Sequence, residues 1–207
     1  MGKAIPTVEG WHSQHMVFAM DFSAWNCFTE DEKAAARNEL KAFLADLEAK
    51  HQAKEGSYAF YDCNGAKGDL ILWILGPSLE YLAQVERKFR RLAIASVLVQ
   101  TYSYTSVTEV STYVKAKLDT EEVNQKLYPH VPRDKYICFY NMTKKREGAD
   151  NWFMLPPQER GALMKAHGEL GKTYLDVLSE FTTGGCGLDD WEWGITIFSN
   201  DDIQFKK

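Results

Sequence analysis

The sequence predicts an α+β fold made of two ferredoxin-like repeats, the second of them truncated at its C-terminus. Three observations lead there. Apolar residues alternate with period two in some segments and follow helical spacing in others. Residues 12–110 read in the order β-α-β-β-α-β. The same order restarts near residue 135, after a polar linker, and stops after its third strand.

In the first repeat a strand is expected over 12–22 and a helix over 30–50. Thr29 and Glu32 have capping-box spacing, and Leu40, Phe43, Leu44 and Leu47 form one apolar stripe. Strands follow at 57–63 and 69–75, separated by the Asn64-Gly65 turn signal and Gly68. A second helix spans 78–92, and VLVQTYSYTSVTEV makes the fourth strand at 97–110. A linker rich in Lys, Glu and Pro occupies 111–134. The second repeat opens with a strand at 135–142 and a helix at 157–178, with Pro157 well placed as its first residue. Strands at 181–188 and 191–199 complete it, and Ser199 or Asn200 can cap a last helix from Asp201. This divides the chain into a structural half, 1–114, and a site-bearing half, 115–207. By symmetry a closing helix and strand are missing: either the sequence is cut short or the protein lacks that edge, and an open edge would favour association into a homo-oligomer.

Composition narrows the function. The chain has 207 residues, 45% hydrophobic and 13% aromatic, enough for a substantial core. Its net charge of -5 offers no phosphate-binding surface, so nucleic acid is not an expected partner. The longest apolar runs, such as LILWIL at 70–75, are strand-sized, so no membrane span is expected. MGKAIPTVEGW lacks the apolar core of a secretory signal. Cys27, Cys63, Cys138 and Cys186 form no CxxC or CxxCH, which argues against zinc, thioredoxin chemistry and covalent haem attachment. Scattered thiols in an acidic chain point to the cytoplasm.

The informative stretch is KYICFYNMTKKREGADNWFMLPPQERGALMKAHGELGK at 135–172. While the chain stays extended, Tyr136, Cys138, Tyr140, Met142 and Lys144 share one face. A phenol therefore lies four residues from an ammonium. The helix that follows carries a single histidine, His167, whose face also holds Leu163, Leu170 and Tyr174, a pattern that fits a buried side. A Tyr, a Lys and a His offered to one cavity can form a radical, grip a carboxylate and hold a haem. Each residue also has an ordinary reading. Tyr140 suits a strand core, 144–146 a solvated loop, Trp152, Trp191 and Trp193 a core, and His167 a plain helix position. Gly184, Gly185 and Gly187 read as a hairpin or bulge, since no phosphate-loop spacing is present. His12 and His15 have opposite strand parity and make a poor ligand pair. The sequon at Asn141 lies in an expected strand and is discounted.

The segment 136–174 closely resembles the chlorite dismutase superfamily, and within it the coproheme decarboxylases. GWHSQH at 10–15, GSYAFYDCNGAKGDLILWIL at 56–75, TYSYTSVTEVSTYV at 101–114 and GLDDWEWGITIFSNDDIQFKK at 187–207 extend the resemblance over nearly the whole chain. It implies a dimeric α/β-barrel-type domain built from the two repeats, and a homopentamer. His167, in an HG-x-x-G-[KR] motif, matches the proximal haem ligand. Tyr140, in FY-x-M, matches the radical-forming tyrosine, and Lys144 the lysine beside the reacting propionate. Lys126 in KLYP falls where the family carries a basic contact to a propionate, and Met142 and Trp152 match pocket-lining positions. Glu180 falls at the distal position, where chlorite dismutases have Arg and many decarboxylases Gln. A carboxylate there repels chlorite. The resemblance also implies a further basic contact to the porphyrin in a C-terminal segment beyond residue 207.

The resemblance implies oxidative decarboxylation of iron coproporphyrin III, substrate and cofactor at once, to haem b by hydrogen peroxide, with Tyr140 relaying the oxidation as a phenoxyl radical. Two other outcomes stay open: a haem peroxidase or chlorite dismutase-like enzyme, and a non-enzymatic haem-binding protein.

Overall fold

The structure, a computed structural model, describes residues 7–111 and 120–207. The start of the N-terminal stretch (1–6) and part of the expected linker (112–119) lie outside the described residues. The chain divides into two compact units, Trp11–Thr105 and Ser106–Lys207, the latter joined by residues up to Gly10.

The first unit is a complete ferredoxin-like repeat. It contains β1 (Thr7–Met20, from Trp11 onward), α1 (Phe22–Asn26), α2 (Glu30–Gln52), β2 (Ser57–Asp62), β3 (Leu70–Gly76), α3 (Leu79–Phe89) and the first part of β4 (Leu98–Ser111). The strand order is β2-β3-β1-β4. β3 pairs antiparallel with both β1 and β2. That central place explains why LILWIL is apolar throughout, since both of its faces are covered. On one face Leu72 and Ile74 join Met16, Phe18, Phe43, Leu47, Leu82, Val85 and Phe89 in the main core. Full burial of such side chains stabilises by about 1.5–3 kcal/mol each. On the other face the Trp73 indole N–H donates to the Ser13 hydroxyl at 2.8 Å, and His15 stacks on the Trp73 ring at 4.8 Å. α2 begins with the expected capping box, in which the Thr29 side chain accepts from the Glu32 N–H and the Glu32 side chain accepts from the Thr29 N–H. α3 begins at a Ser78 cap. The short α1, capped by Asp21, was not foreseen; five residues carry too little periodicity to register.

The second unit contains the rest of β4, α4 (Glu121–Leu127), β5 (Tyr136–Met142), α5 (Pro157–Lys172), β6 (Ser179–Gly184) and β7 (Trp193–Ser199), in the strand order β4-β6-β7-β5. Its strand pairs are antiparallel. Two expectations are corrected here. The linker contains a helix, α4, capped by Thr120 and anchored by buried Val123 and Leu127. Its seven residues and their charges hid it. The long helix ends at Lys172, not 178, and the chain continues as turns that re-use its last carbonyls: Thr173 and Tyr174 donate to Leu170 and Gly171. Glycines 168 and 171 weaken the last turns by about 1 kcal/mol each relative to alanine. The glycine cluster forms the β6–β7 hairpin, with Gly187 at φ +81°. The tail is a 3-10 turn (Asp202–Lys206) capped by Asp201.

The buried layer of this unit is tight at Gly10. The Leu127 carbonyl accepts the Thr108 hydroxyl at 2.7 Å, and a Cβ on Gly10 would lie 2.1 Å from the same oxygen. Gly10→Ala therefore forces backbone apart. It is expected to lower stability by at least about 1–3 kcal/mol, read as a reduced denaturant midpoint at unchanged slope.

Candidate functional site

Register sorts the side chains of the second unit. Tyr140 opposes Ile195 and Met142 opposes Trp193 across β5–β7. Ile195 in turn opposes Thr182, Trp193 opposes Gly184 and Ile197 opposes Glu180. Directly paired residues share a face. One face therefore carries Cys138, Tyr140, Met142, Trp193, Ile195, Ile197, Glu180 and Thr182. The opposite face, with Thr183, Thr196 and Phe198, is buried. On the first face Ile195 is buried, whereas Tyr140 is 47% and Met142 42% exposed on β5, the edge strand of the order, so the face is open on the side of β5.

Tyr140 keeps its proton beyond the ordinary tyrosine range. Burial of the phenol is the larger cause, followed by the nearby charges of Glu180 and Cys138. Glu180, exposed on β6, also accepts from the Thr182 hydroxyl at 3.4 Å.

β5 ends at Met142, so strand parity does not carry through to Lys144. The ammonium nevertheless reaches the same face, because Nζ lies over the Trp193 ring at 3.3 Å and over Trp152 at 5.5 Å. Burial holds the Lys144 pKa below the usual lysine range; Glu192, Cys186 and Glu109 act against that, and Arg160 adds to it. Trp152 opens a 3-10 turn (Trp152–Met154) whose first N–H donates to the Lys145 carbonyl at 3.1 Å. Arg146 lies over the Phe153 ring at 4.3 Å.

α5 holds His167, and none of its side chains is buried. The expected buried side is thus corrected: Leu163 is 48% and Leu170 60% exposed on the face of His167. The helix packs closely on no other element among the described residues, which is why spacing alone misjudged that face. Among the described residues His167 has no hydrogen-bond partner. Lys126 projects from α4 and pairs with Glu122 at 2.9 Å on its own helix. The structure therefore brings Tyr140, Met142, Lys144, Trp152 and Glu180 together around one sheet face. It leaves His167 and Lys126 on helices, without direct contact to that group.

His15 and His51 have structural surroundings. His15 is fully buried, and burial pulls its pKa well below the ordinary value. His51 shares a hydrogen bond with Ser57 at 2.9 Å. All four cysteines are unpaired.

Sequence reasoning missed Glu192. It is 7% exposed, accepts the Lys144 backbone N–H at 3.0 Å and forms an ion pair with Arg146. It also missed Glu109, whose carboxylate accepts the Trp193 indole N–H at 3.3 Å. The one available signal was WEW at 191–193, a charge between two large aromatics at the start of a strand.

A sheet face open toward β5, an exposed helix face that carries an imidazole, and two lysines are groups that could hold a flat iron porphyrin bearing carboxylates: an imidazole for the metal, apolar faces for the ring and ammonium groups for the carboxylates. The charge of Glu180 on this face can be tested directly. Glu180→Gln removes a negative charge that disfavours phenolate, so Tyr140 should ionise at lower pH than in the parent. The component lost on Tyr140→Phe in phenolate absorbance titrations isolates that group. If this component does not move in Glu180→Gln, the two side chains do not interact.

Residues 33–207 match the chlorite dismutase family model. A heme-binding protein from Thermus thermophilus is 40% identical over 100% of this chain and 84% of its own, with a TM-score of 0.95. A mutant chlorite dismutase from Candidatus Nitrospira defluvii shares the fold at 18% identity, over 96% of this chain and 81% of its own, with a TM-score of 0.74. A putative chlorite dismutase, TA0507, does so at 15% identity, over 96% and 83%, with a TM-score of 0.72. With its two antiparallel repeats and a family match that spans the site, the chain belongs to the chlorite dismutase family.

Proposed function

We propose that this protein binds haem and catalyses the hydrogen peroxide-dependent oxidative decarboxylation of iron coproporphyrin III to haem b. The observation that carries the reading is that a half-exposed Tyr140 and Lys144, over the Trp193 ring, lie on the same sheet face. A haem carrier needs neither. The heme-binding Thermus relative supports the choice of ligand. In this reading residues 1–114 are structural and 115–207 hold the pocket. The protein works in the cytoplasm as a homo-oligomer, most simply a pentamer. Among the described residues no helix is long and apolar enough to cross a membrane.

When bound, the iron porphyrin would activate hydrogen peroxide, which supplies the two oxidising equivalents. His167, on α5, would be the residue that holds the iron. Met142 and Trp152 cover the ring, and Lys126 holds one propionate. Lys144 fixes the reacting carboxylate by a charge-assisted hydrogen bond. Tyr140 gives up its phenolic hydrogen and then takes a hydrogen atom from the propionate β-carbon. The bond to the carboxyl group would then break with loss of a second electron, both electrons being taken up in the reduction of one peroxide to water. For each propionic acid and hydrogen peroxide consumed, the products are a vinyl group, carbon dioxide and two waters. Repetition on a second propionate gives haem b. Glu180 would act as an acceptor toward peroxide, and its charge would disfavour chlorite. That same departure from the family's usual distal residue supports a second reading, a haem peroxidase acting on another reductant.

Mass analysis of porphyrins after incubation with iron coproporphyrin and peroxide decides between the two. Loss of carboxyl groups supports the first reading; an unchanged porphyrin with oxidation of an added reductant supports the second. Tyr140→Phe should leave porphyrin affinity near the parent value and reduce haem b formation to background. A variant that makes haem b at the parent rate would remove Tyr140 from the mechanism. His167→Ala should abolish the iron–imidazole stretch in resonance Raman spectra of the ferrous complex; persistence of that band would assign the ligand elsewhere.

A further inference from the structure

We propose that Glu192 is the positioning residue of Lys144: its buried carboxylate fixes the turn after β5 so that the ammonium is delivered onto the Trp193 ring. The functional meaning rests on the reading that Lys144 meets a substrate carboxylate. The geometry does not.

Glu192 ties the turn to the β6–β7 hairpin at several points. Its carboxylate accepts the Lys144 backbone N–H at 3.0 Å and pairs with the Arg146 guanidinium. Its own N–H donates to the Thr143 hydroxyl at 3.4 Å, and its carbonyl accepts the Gly185 N–H at 2.9 Å. With the Lys144 backbone held beside Glu192, its side chain runs over the next residue of the hairpin, and Nζ comes to rest 3.3 Å from the Trp193 ring centre. That ring is itself clamped. Its indole N–H donates to Glu109 at 3.3 Å, and Glu109 lies against Gly184, where a Cβ would come within 2.6 Å of the carboxyl carbon.

A buried carboxylate is costly, and an apolar residue would fill the space at lower cost. What an apolar residue cannot do is hold the Lys144 N–H and oppose loss of its proton. The charged and titratable groups facing Lys144 are Glu192 and Cys186 from the hairpin, Glu109 from β4 and Arg160 from α5. Burial and Arg160 favour the neutral amine; Glu192 is the foremost of the groups that favour the ammonium. Glu192 thus sets where the cation sits and helps it keep its proton.

The test needs no porphyrin, so it succeeds or fails independently of the decarboxylase reading. Lysines are dimethylated with 13C-formaldehyde and titrated by NMR, with Lys144→Arg to identify the Lys144 signal. In Glu192→Gln, which keeps shape and an acceptor oxygen, the Lys144 signal should titrate at lower pH than in the parent, by more than the scatter among the other lysines. Glu192→Asp, which keeps the charge, should restore the parent titration at least in part. Backbone hydrogen exchange at Lys144 should be about five-fold faster in Glu192→Ala, which lacks the acceptor, and near the parent rate in Glu192→Gln. A merely structural role would lower thermal stability without moving the Lys144 titration. An unchanged Lys144 titration in Glu192→Gln overturns the proposal, and that variant decides if Glu192→Ala does not fold.

Discussion

The register of β5, β7 and β6 governs what the second unit can do. Tyr140 opposite Ile195, and Ile195 opposite Thr182, place the phenol on the open face, while Phe198 and Thr196 go into the core. Because strand side chains alternate, a slip of one residue would turn Tyr140 inward and bring Phe139 out. Several contacts guard against that slip. The Ser106 hydroxyl donates to Thr183 at 2.9 Å within the buried layer, and the Ser199 hydroxyl donates to the Val177 carbonyl at 2.8 Å, tying the end of β7 to the turns after α5. The same constraint aligns Glu109 with Trp193, since Val107 opposes Gly184 and Glu109 is the next residue of β4 on that side.

Around this frame charge is handled in two ways. On the surface, pairs such as Lys126 with Glu122 lie in water and contribute little to stability. Beside the open face, Glu192 is buried with Arg146 and a backbone N–H as partners, an arrangement that specifies one geometry more than it stabilises the fold. The aromatic rings of Trp152 and Trp193 give the Lys144 ammonium an attractive surface that leaves it able to exchange partners.

Much of the fold was legible because its signals are local. Thr29 with Glu32, the apolar run of β3 and the alternation of β5 each report their element from a few neighbouring residues. α4 was not legible: Val123 and Leu127 are its only buried anchors, and charged residues surround them. Strand parity alone does not join Lys144 to the face of Tyr140. The strand stops at Met142, and the lysine is returned to that face by Glu192 and Trp193, some fifty residues further along the chain. Such long-range hydrogen bonds leave no periodic trace. The exposure of the His167 face was equally invisible, because helical spacing reports which residues share a side and not what covers that side.

α5 has a consequence of its own. It is sixteen residues long, buries no side chain and contains Gly161, Gly168 and Gly171. Most helical stability in proteins comes from tertiary packing, and an isolated helix of this length is marginal in water. Whatever covers Leu163 and Leu170 therefore also supplies much of the free energy that keeps the helix wound. In the proposed function that cover is the porphyrin, which makes ligand binding and local folding a single coupled equilibrium. Part of the intrinsic affinity is then spent on ordering α5, and the measured dissociation constant is weaker than the contacts alone would give. Release of product is eased by the same coupling, because a helix that loosens as its ligand departs opens the way out.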